Sequence, residues 1–369
     1  MIKISAVGDI FLGDYTISLG FGIKSSIRKH GFEFHFGNIK NIFKDKDIVF
    51  GNLETITSDI GLDERNIKSV ICRGEKEYVN ILKSAGFTVV NIANNHILQH
   101  GAEAFRDTIN TLKDKKIDVV GLRGDRGVIS ASIVKDINKK KVGLLGYSFV
   151  NENFYRGELL YASGGINGIC HDVSELKKKT DYVIVSCHWG IEFIDKPSLN
   201  IQRLARQMVN AGASIIFGHH PHVGQGIERY RNSIIIYSLG NFIFDFLWNR
   251  RARESMIANL FFSDKGIDYE IIPIYINDSY QVQLMDEKSS SEYIYYINKL
   301  SNFSIEEKDY DIEDKHCSYY VEANNVIKKD QVRKFIYVMK NIYRLDKRFI
   351  VYFLKKMMLG HPGKPRNGR

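Results

Sequence analysis

Short apolar runs alternate with amphipathic stretches along most of the chain, and this alternation constrains the fold more than any other feature. The runs KISAVG (residues 3–8), FTVVNIA (87–93), DYVIVSC (181–187) and SIIFG (214–218) are rich in apolar and β-branched residues. Near-continuous apolar strands of this kind are buried on both faces, as in sheets that helices cover. The alternation therefore predicts an α/β protein.

Helical periodicity occupies the intervals between these runs. In EKEYVNILKSAG (75–86), apolar residues recur at helical spacing and the pattern ends at Gly86, a residue suited to a helix C-terminus. The stretches 102–115 and 199–212 have the same character. Two later strands, ANLFFS (258–263) and YEIIPIYI (269–276), have no helix between them, so part of the architecture is expected to be antiparallel.

Polar motifs follow directly after five of the predicted strands. They are Gly8-Asp9, Gly51-Asn52, Asn94-Asn95-His96, His188 and Gly218-His219. In α/β sheets, ligands bind beyond the carboxyl ends of the strands. Five polar motifs at five such ends therefore predict one shared functional site.

The residue types in and around these motifs are those that bind divalent metals. Neutral imidazoles, carboxylates and amide oxygens suit zinc, manganese or iron. The candidate ligands are Asp9, Glu54, Asn95, His188, His220 and His222. His220 and His222 differ by two positions, so in an extended backbone both would point to the same face, with Pro221 restricting the chain between them.

Each motif also has a purely structural interpretation. Asp9 is compatible with a turn after Gly8, and the Asn94-Asn95 pair with a helix N-cap. His188 and Trp189 are compatible with an aromatic turn in the core. Only the occurrence of all the motifs at strand ends favours a functional site.

Six motifs together resemble those of the CapA/PgsA family, the capsule and poly-γ-glutamate synthesis proteins, a branch of the calcineurin-like metallophosphoesterases. In chain order they are AVGDIFLG, GNLET, NIANNH, CHWGIE, GHHPHV and YSLGNFIFD, and the resemblance covers residues 2–250. It implies a four-layer α/β/β/α sandwich with a metal centre at the strand ends. One or two divalent ions, manganese, iron or zinc, are the implied cofactor.

The resemblance also implies roles for individual residues. Asp9 matches a ligand of one metal, Glu54 the bridging position and Asn95 a ligand of the second metal. His188, His220 and His222 match the later histidine ligands, and His96 matches the histidine that assists the leaving group. Supporting roles are expected for Asn52, His219, Asn241 and Asp245. Apart from the resemblance, Arg73 is expected to neutralise an anionic substrate and Glu192 to line the pocket.

Three positions depart from the family pattern. Phe11 stands where the superfamily has a histidine ligand, Glu54 is one methylene longer than the usual aspartate, and His100 replaces an expected aspartate. These departures leave open whether one metal or two are bound.

The leading hypothesis is a metal-dependent, hydrolase-like enzyme in the synthesis of a capsular polysaccharide or poly-γ-glutamate. Metal-activated water would act on a phosphoester or an amide bond. The alternative is a non-catalytic, metal-binding assembly factor for a membrane-bound polymer synthase, which the loss of an imidazole at Phe11 favours.

The chain is expected to divide near residue 280. Residues 1–280 would form the metallophosphoesterase-like domain, and residues 281–369 a basic, mainly helical appendage with a break near Leu345-Asp346. The formal net charge is +9, but residues 328–358 alone contain ten Lys or Arg and two Asp. The basic character therefore belongs to the C-terminal segment rather than to the expected site.

The family resemblance implies that the site takes an anionic polymer or its precursor. The charge distribution concerns the C-terminal helices, which are compatible with packing on the sandwich, with an anionic membrane surface or with a membrane-bound synthase. Nucleic acid is not expected, because no basic-aromatic recognition motif occurs. With no recognisable signal peptide or spanning segment, the expected location is cytoplasmic, with an option of peripheral attachment to the inner membrane face.

Overall fold

The computed structural model describes residues 1–31, 33–125, 127–303 and 318–358. Its strands are β1 Ile2–Ile10, β2 Ile48–Leu53, β3 Ile56–Thr57, β4 Arg73–Gly74, β5 Val89–Asn91, β6 Asp118–Val120, β7 Ile133–Ile137, β8 Lys140–Ser148, β9 Tyr182–His188, β10 Ile215–His219, β11 Ile227–Tyr230, β12 Ser233–Ile236, β13 Asn241–Ile243, β14 Glu254–Ser263, β15 Gly266–Ile276 and β16 Val282–Leu284.

The α-helices are α1 Ile23–His30, α2 Glu33–Phe36, α3 Ile67–Val70, α4 Val79–Ala85, α5 Gly101–Asp114, α6 Ile166–Lys177, α7 Leu199–Asn210, α8 Arg250–Arg253, α9 Glu287–Leu300, α10 Ser318–Asn341 and α11 Lys347–Met358. Short 3-10 helices span Lys40–Phe43, Lys76–Tyr78 and Ile342–Arg344.

Two large sheets contain most of the strands. The first has the order β16-β15-β14-β1-β2-β5-β6, with β13 pairing alongside the end of β1. The second has the order β11-β12-β10-β9-β8-β7. Strands β1, β2, β5 and β6 are parallel, whereas β14, β15 and β16 pair antiparallel, as the absence of helices between the later strands predicts.

Three apolar clusters show that the sheets and helices form four layers. Ile4 and Phe50 of the first sheet pack against Ile184 and Phe217 of the second. The outer face of the first sheet packs under α4 and α5, and that of the second sheet packs under α6 and α7. The α/β/β/α sandwich expected from the sequence is therefore confirmed.

Local sequence signals fix the ends of several helices. Helix α4 ends at Gly86, which has φ of 99° in the left-handed region that favours glycine. Helix α7 begins after Ser198, whose side chain accepts a hydrogen bond from the main-chain N–H of Ile201. The sequence predicts both helices.

The C-terminal helices pack on the sandwich. Asp330 of α10 accepts hydrogen bonds from Trp248 Nε1 at 3.1 Å and Asn249 Nδ2 at 2.8 Å. Leu345 and Phe349 are buried against the loop that follows β1. The predicted break at Leu345-Asp346 is present, but α10 begins at Ser318, earlier than the periodicity indicates.

The first sheet continues past the predicted domain boundary, because β16 at Val282–Leu284 pairs with β15. The division into two domains remains a prediction. Within the described residues, no helix combines the length and the apolarity needed to span a membrane.

Candidate metal centre

The register of the strands brings the predicted site residues to one edge of the sandwich. At the carboxyl end of β1, Asp9 lies beside Asn52 of β2 and Asn241 of β13. In the second sheet, His188 of β9 lies beside His219 of β10. The parallel strands thus deliver carboxylate, amide and imidazole side chains to the same place.

Two glycines permit this close packing. A Cβ atom on Gly8 would lie 1.8 Å from the carbonyl oxygen of Gly240, and one on Gly218 would lie 1.8 Å from that of Tyr237. Any larger side chain would collide with main-chain atoms at these positions. Each glycine directly precedes a site residue. The packing of the site therefore requires a residue without a Cβ atom at both positions.

Asp9 lies at the centre of the cluster. Its carboxylate accepts hydrogen bonds from Asn52 Nδ2 at 2.8 Å and from the main-chain N–H of His220 at 3.1 Å. The nearest imidazole nitrogens of His219 and His222 each lie 3.4 Å from it. Burial opposes ionisation, but the two neighbouring imidazoles outweigh it and hold the pKa of Asp9 well below its ordinary value.

Glu54 is buried without a hydrogen-bond donor among the described residues for either carboxylate oxygen. Its Oε1 lies 3.8 Å from both His188 Nε2 and His222 Nε2. Burial, reinforced by the charge of Asp9, raises the pKa of Glu54 well above its ordinary value. A buried carboxylate in such surroundings is costly unless a cation neutralises it.

Two sets of three side chains have ligand atoms that all lie within 4.8 Å of one another. One set is Asp9, Glu54 and His188, and the other is Glu54, His220 and His222. Glu54 belongs to both sets. The bridging role that the family resemblance implies for Glu54 remains a prediction, and membership of both sets is compatible with it.

The loop carrying His220 and His222 is not extended, so the condition under which alternation would place both rings on one face is not met. His220 has φ of 92° and His222 φ of 60°, so both residues adopt left-handed conformations around Pro221. Their ring centroids nevertheless lie 5.8 Å apart, and that of His220 lies 4.7 Å from that of His188. Left-handed backbone in a non-glycine residue costs about 1–3 kcal/mol and clusters at functional sites.

The imidazoles of His188 and His220 are neutral potential ligands. Burial lowers the pKa of His188 well below its ordinary value and the pKa of His220 to about 4, so both rings present lone pairs near neutral pH. His188 Nε2 lies 2.9 Å from Asn95 Oδ1. In the described part of the chain, His220 Nδ1 and His219 Nε2 are buried without hydrogen-bond partners.

These observations fit a divalent cation. Unpartnered buried oxygen and nitrogen atoms are rare in folded proteins, and here they converge from both sheets. The donors are carboxylates and imidazoles, with an amide oxygen beside them, which suits manganese, iron or zinc. The chemistry of the donor set therefore agrees with the metal expected from the sequence.

Two asparagines orient the ligands. Asn52 bonds to Asp9 and accepts hydrogen bonds from Asn91 and Asn94. Asn241 Oδ1 lies 2.9 Å from His222 Nδ1, which leaves Nε2 of that ring facing Glu54. Hydrogen bonds of this kind fix the tautomer and the direction of a ligating imidazole.

His96 and Glu192 lie near the cluster without joining it. His96 Nδ1 lies 3.0 Å from Gln99 Oε1, and burial lowers the pKa of its ring, against smaller contributions from Gln99 and Glu192. The pKa of Glu192 is lowered, since the imidazoles of His220 and His222 outweigh its burial. The geometry is compatible with the predicted proton-transfer and supporting roles, which remain predictions.

Two of the predicted supporting residues, Arg73 and Asp245, have contacts away from the cluster. Arg73 is buried rather than exposed, and its guanidinium donates to the main-chain carbonyls of Ser58 and Ile60. Asp245 accepts hydrogen bonds from Tyr280 Oη at 2.6 Å and the main-chain N–H of Tyr15 at 2.9 Å.

Phe11, at the position of the missing histidine, stacks on Phe244 with ring centroids 4.6 Å apart. His100 Nε2 lies 3.0 Å from the carbonyl oxygen of Ile71. At both positions the side chain therefore contacts neighbouring protein groups: Phe11 packs on a ring and His100 contacts a main-chain carbonyl.

A cavity of about 430 Å³ opens beside the cluster. Asn95, Glu192 and His220 line one side of it, and α10 supplies the other through residues that include Gln331 and Lys334. The sequence indicated no link between α10 and the site, because nothing in a helix's periodicity reveals which distant loop it faces.

Comparison with known sequences decides the family. The profile of the bacterial capsule synthesis protein PGA_cap matches residues 3–246. This chain belongs to that family. The capsule biosynthesis protein CapA of Bacillus anthracis is 32% identical over 290 residues, covering 75% of this chain and 68% of that protein. The PGA biosynthesis protein CapA of Bacillus subtilis is 30% identical over 338 residues, covering 89% and 84%.

Solved structures are more distant from this PGA_cap chain. A phosphatase from Mycoplasma pneumoniae aligns over 80% of this chain and 99% of its own, with 17% identity and a TM-score of 0.45. A 5'-nucleotidase from Candida albicans covers 90% and 58%, with 13% identity and a TM-score of 0.42. Similarity at this level carries no inference about activity, whereas the CapA resemblance predicted from the motifs is confirmed by the family match.

Proposed function

We propose that this chain is a divalent-metal-dependent hydrolase in the synthesis of a capsular polysaccharide or poly-γ-glutamate. It would cleave a phosphoester or an amide bond in an anionic polymer or its precursor. The observation that carries the proposal is Glu54, a buried carboxylate shared by two potential ligand sets and unpartnered within the described structure. Membership of the capsule synthesis family supports the polymer as the target.

The proposed ligands for one or two ions are Asp9, Glu54, Asn95, His188, His220 and His222. A divalent cation supplies Lewis acidity, which lowers the pKa of water and polarises the bond to be cleaved. The protein's own contribution is to orient these ligands through Asn52 and Asn241 and to shield them from bulk water. His96 would move a proton at its Nε2, because its Nδ1 faces Gln99.

Metal analysis and a substrate screen test this proposal. Untagged protein should contain stoichiometric manganese, iron or zinc, and His188→Ala and His220→Ala should lose it. His96→Ala should keep the metal and lose hydrolysis of phosphoesters or γ-glutamyl amides. His171→Ala, at an exposed position on α6, is the matched control and should change neither property. Full metal content in the His188 and His220 variants would refute the assignment.

A non-catalytic assembly factor is the second candidate. Phe11 favours it, because an aromatic side chain packed against Phe244 stands where the superfamily has a ligand. Such a factor would bind metal for structural reasons and dock on a polymer synthase. Stoichiometric metal together with no turnover in the screen, in the wild type and in the His96→Ala variant alike, would favour this candidate.

Attachment to an anionic membrane or to a membrane-bound synthase remains a prediction. Helix α10 and the turn after it expose apolar side chains at helical spacing, among them Phe335 at 61% and Tyr343 at 82% of their full accessibility. Lysines and arginines, including Lys340 and Arg344, flank this face. Basic amphipathic helices bind anionic surfaces through this combination of charge and apolar area.

A further inference from the structure

One wall of the cavity beside the metal centre comes from a segment far from it in sequence. Ile327, Asp330, Gln331 and Lys334 of α10 recur at intervals of three and four residues, so they share one face of the helix. The opposite wall carries His220, one of the proposed metal ligands. A substrate in this cavity would touch the metal centre and α10 together.

Lys334 presents its charge without a carboxylate partner. Its Nζ lies 4.7 Å from the ring centroid of Tyr15 and 5.3 Å from that of Trp248, at cation–π distance. Among the described residues, no carboxylate forms an ion pair with this ammonium. Ring faces attract the cation but accept no conventional hydrogen bond, so the three N–H donors of Lys334 are available to a ligand.

The neighbouring acids do not take up these donors. Asp330 is occupied by Trp248 Nε1 and Asn249 Nδ2. Glu192 also lines the cavity and favours the charged form of Lys334, but the two side chains do not form an ion pair. Burial is the larger effect and lowers the pKa of Lys334, so an anion entering the cavity would restore a favourable environment for the ammonium.

We propose that Lys334, with Gln331 beside it, binds an anionic oxygen group of the substrate and that α10 is therefore a wall of the active site. This inference rests on the proposed function and narrows it to substrates with a phosphate or carboxylate beside the scissile bond. Phosphoesters and γ-glutamyl chains both carry such a group. Lys334 lines the cavity, and its Nζ lies over the rings of Tyr15 and Trp248.

The test uses full-length, manganese-loaded protein and two probes, inorganic phosphate and glutarate, with binding followed by calorimetry. Lys334→Met should lower the affinity for the probe about tenfold or more, since a charge-assisted hydrogen bond is lost. Lys334→Arg should retain most of the affinity. Lys340→Met, an exposed lysine on the same helix, should leave affinity unchanged. The probe that binds through Lys334 identifies the anion as phosphate or carboxylate.

Metal content and thermal unfolding, measured on every variant, separate this inference from the proposed function. Equal affinity of the wild type and Lys334→Met for both probes, or no binding of either by the wild type, would overturn the role of Lys334 while the metal centre stands. Absence of stoichiometric metal in the wild type would overturn the proposed function. If Lys334→Met unfolds, Lys334→Gln replaces it under the same criteria.

Discussion

Glu54→Gln is expected to change stability in opposite directions with and without metal. In the metal-free protein Glu54 is buried beside Asp9, and no described residue donates to it. A buried, unpartnered polar group costs about 1–3 kcal/mol, and a carboxylate lies at the upper end of that range. An amide of the same shape costs less to bury, so the variant should be more stable than the wild type in a chelator by about 1–2 kcal/mol.

With metal the order reverses. A cation at about 100 times its dissociation constant stabilises the folded state by about 2.7 kcal/mol. Loss of the shared carboxylate, weakening binding about a hundredfold, would reduce this gain to about 0.4 kcal/mol at the same concentration. For a chain of 369 residues, 1 kcal/mol corresponds to roughly 1–2 °C in melting temperature. The wild type should therefore gain about 3–4 °C from the metal, and the variant less than about 1 °C.

The assay is calorimetric unfolding of both proteins in EDTA and in a titration of manganese or zinc. Glu33→Gln removes an exposed carboxylate whose oxygen lies 3.2 Å from Lys40 Nζ; it is the control and should behave as the wild type in both conditions. A variant that is less stable than the wild type in EDTA would show that Glu54 has partners in the metal-free protein. An equal metal-dependent shift in both proteins would show that Glu54 is not a ligand.

Three further predictions concern stability and surface attachment. Gly218→Ala places a Cβ 1.8 Å from the carbonyl oxygen of Tyr237 and should cost more than about 3 kcal/mol in urea unfolding, whereas Gly165→Ala, whose Cβ meets nothing within 4 Å, should be mild; equal costs would contradict the close approach. Burial, reinforced by nearby charge, raises the pKa of Asp245 from 3.8 to about 7, so the folded state keeps this proton while the unfolded chain loses it. Stability is then fully present below about pH 4 and falls by up to about 4 kcal/mol towards pH 7, and Asp245→Asn should flatten that fall in denaturant titrations across this range. Phe335→Asp should reduce co-sedimentation with vesicles containing phosphatidylserine, and equal, negligible pelleting of wild type and variant would contradict membrane attachment.

Much of the fold was accessible from the sequence because its signals are local. A continuous apolar run such as residues 214–218 predicts a buried strand, and Gly86 predicts the end of α4. The polar motifs at strand ends predicted a common site, because parallel strands in neighbouring positions end at the same edge. In the structure, Asp9 lies beside Asn52 and His188 lies beside His219 on neighbouring parallel strands, as this rule predicts.

The remaining features depend on contacts that sequence patterns do not encode. The left-handed conformations of His220 and His222 arise where the loop must turn both rings towards Glu54, and nothing in HHPH distinguishes that turn from an extended segment. Arg73 was expected to meet an anionic substrate, but two main-chain carbonyls capture its guanidinium. These hydrogen bonds depend on the path of the loop that carries Ser58 and Ile60. The residue types around Arg73 do not reveal that path.

The two walls of the cavity come from different parts of the chain, and we expect one to bind the metal and the other to bind the substrate. The proposed ligands lie at or near strand ends, and Asn52 and Asn241 orient them through bonds within the sandwich. The position of these ligands depends on the sheet register. Substitutions that preserve the two sheets should therefore preserve the metal centre. The facing wall depends on α10, which contacts the sandwich through side chains such as Asp330. Substitutions in α10 should therefore change which substrate binds without changing metal binding. For this reason, variants of Lys334 test substrate specificity more directly than variants of the metal ligands.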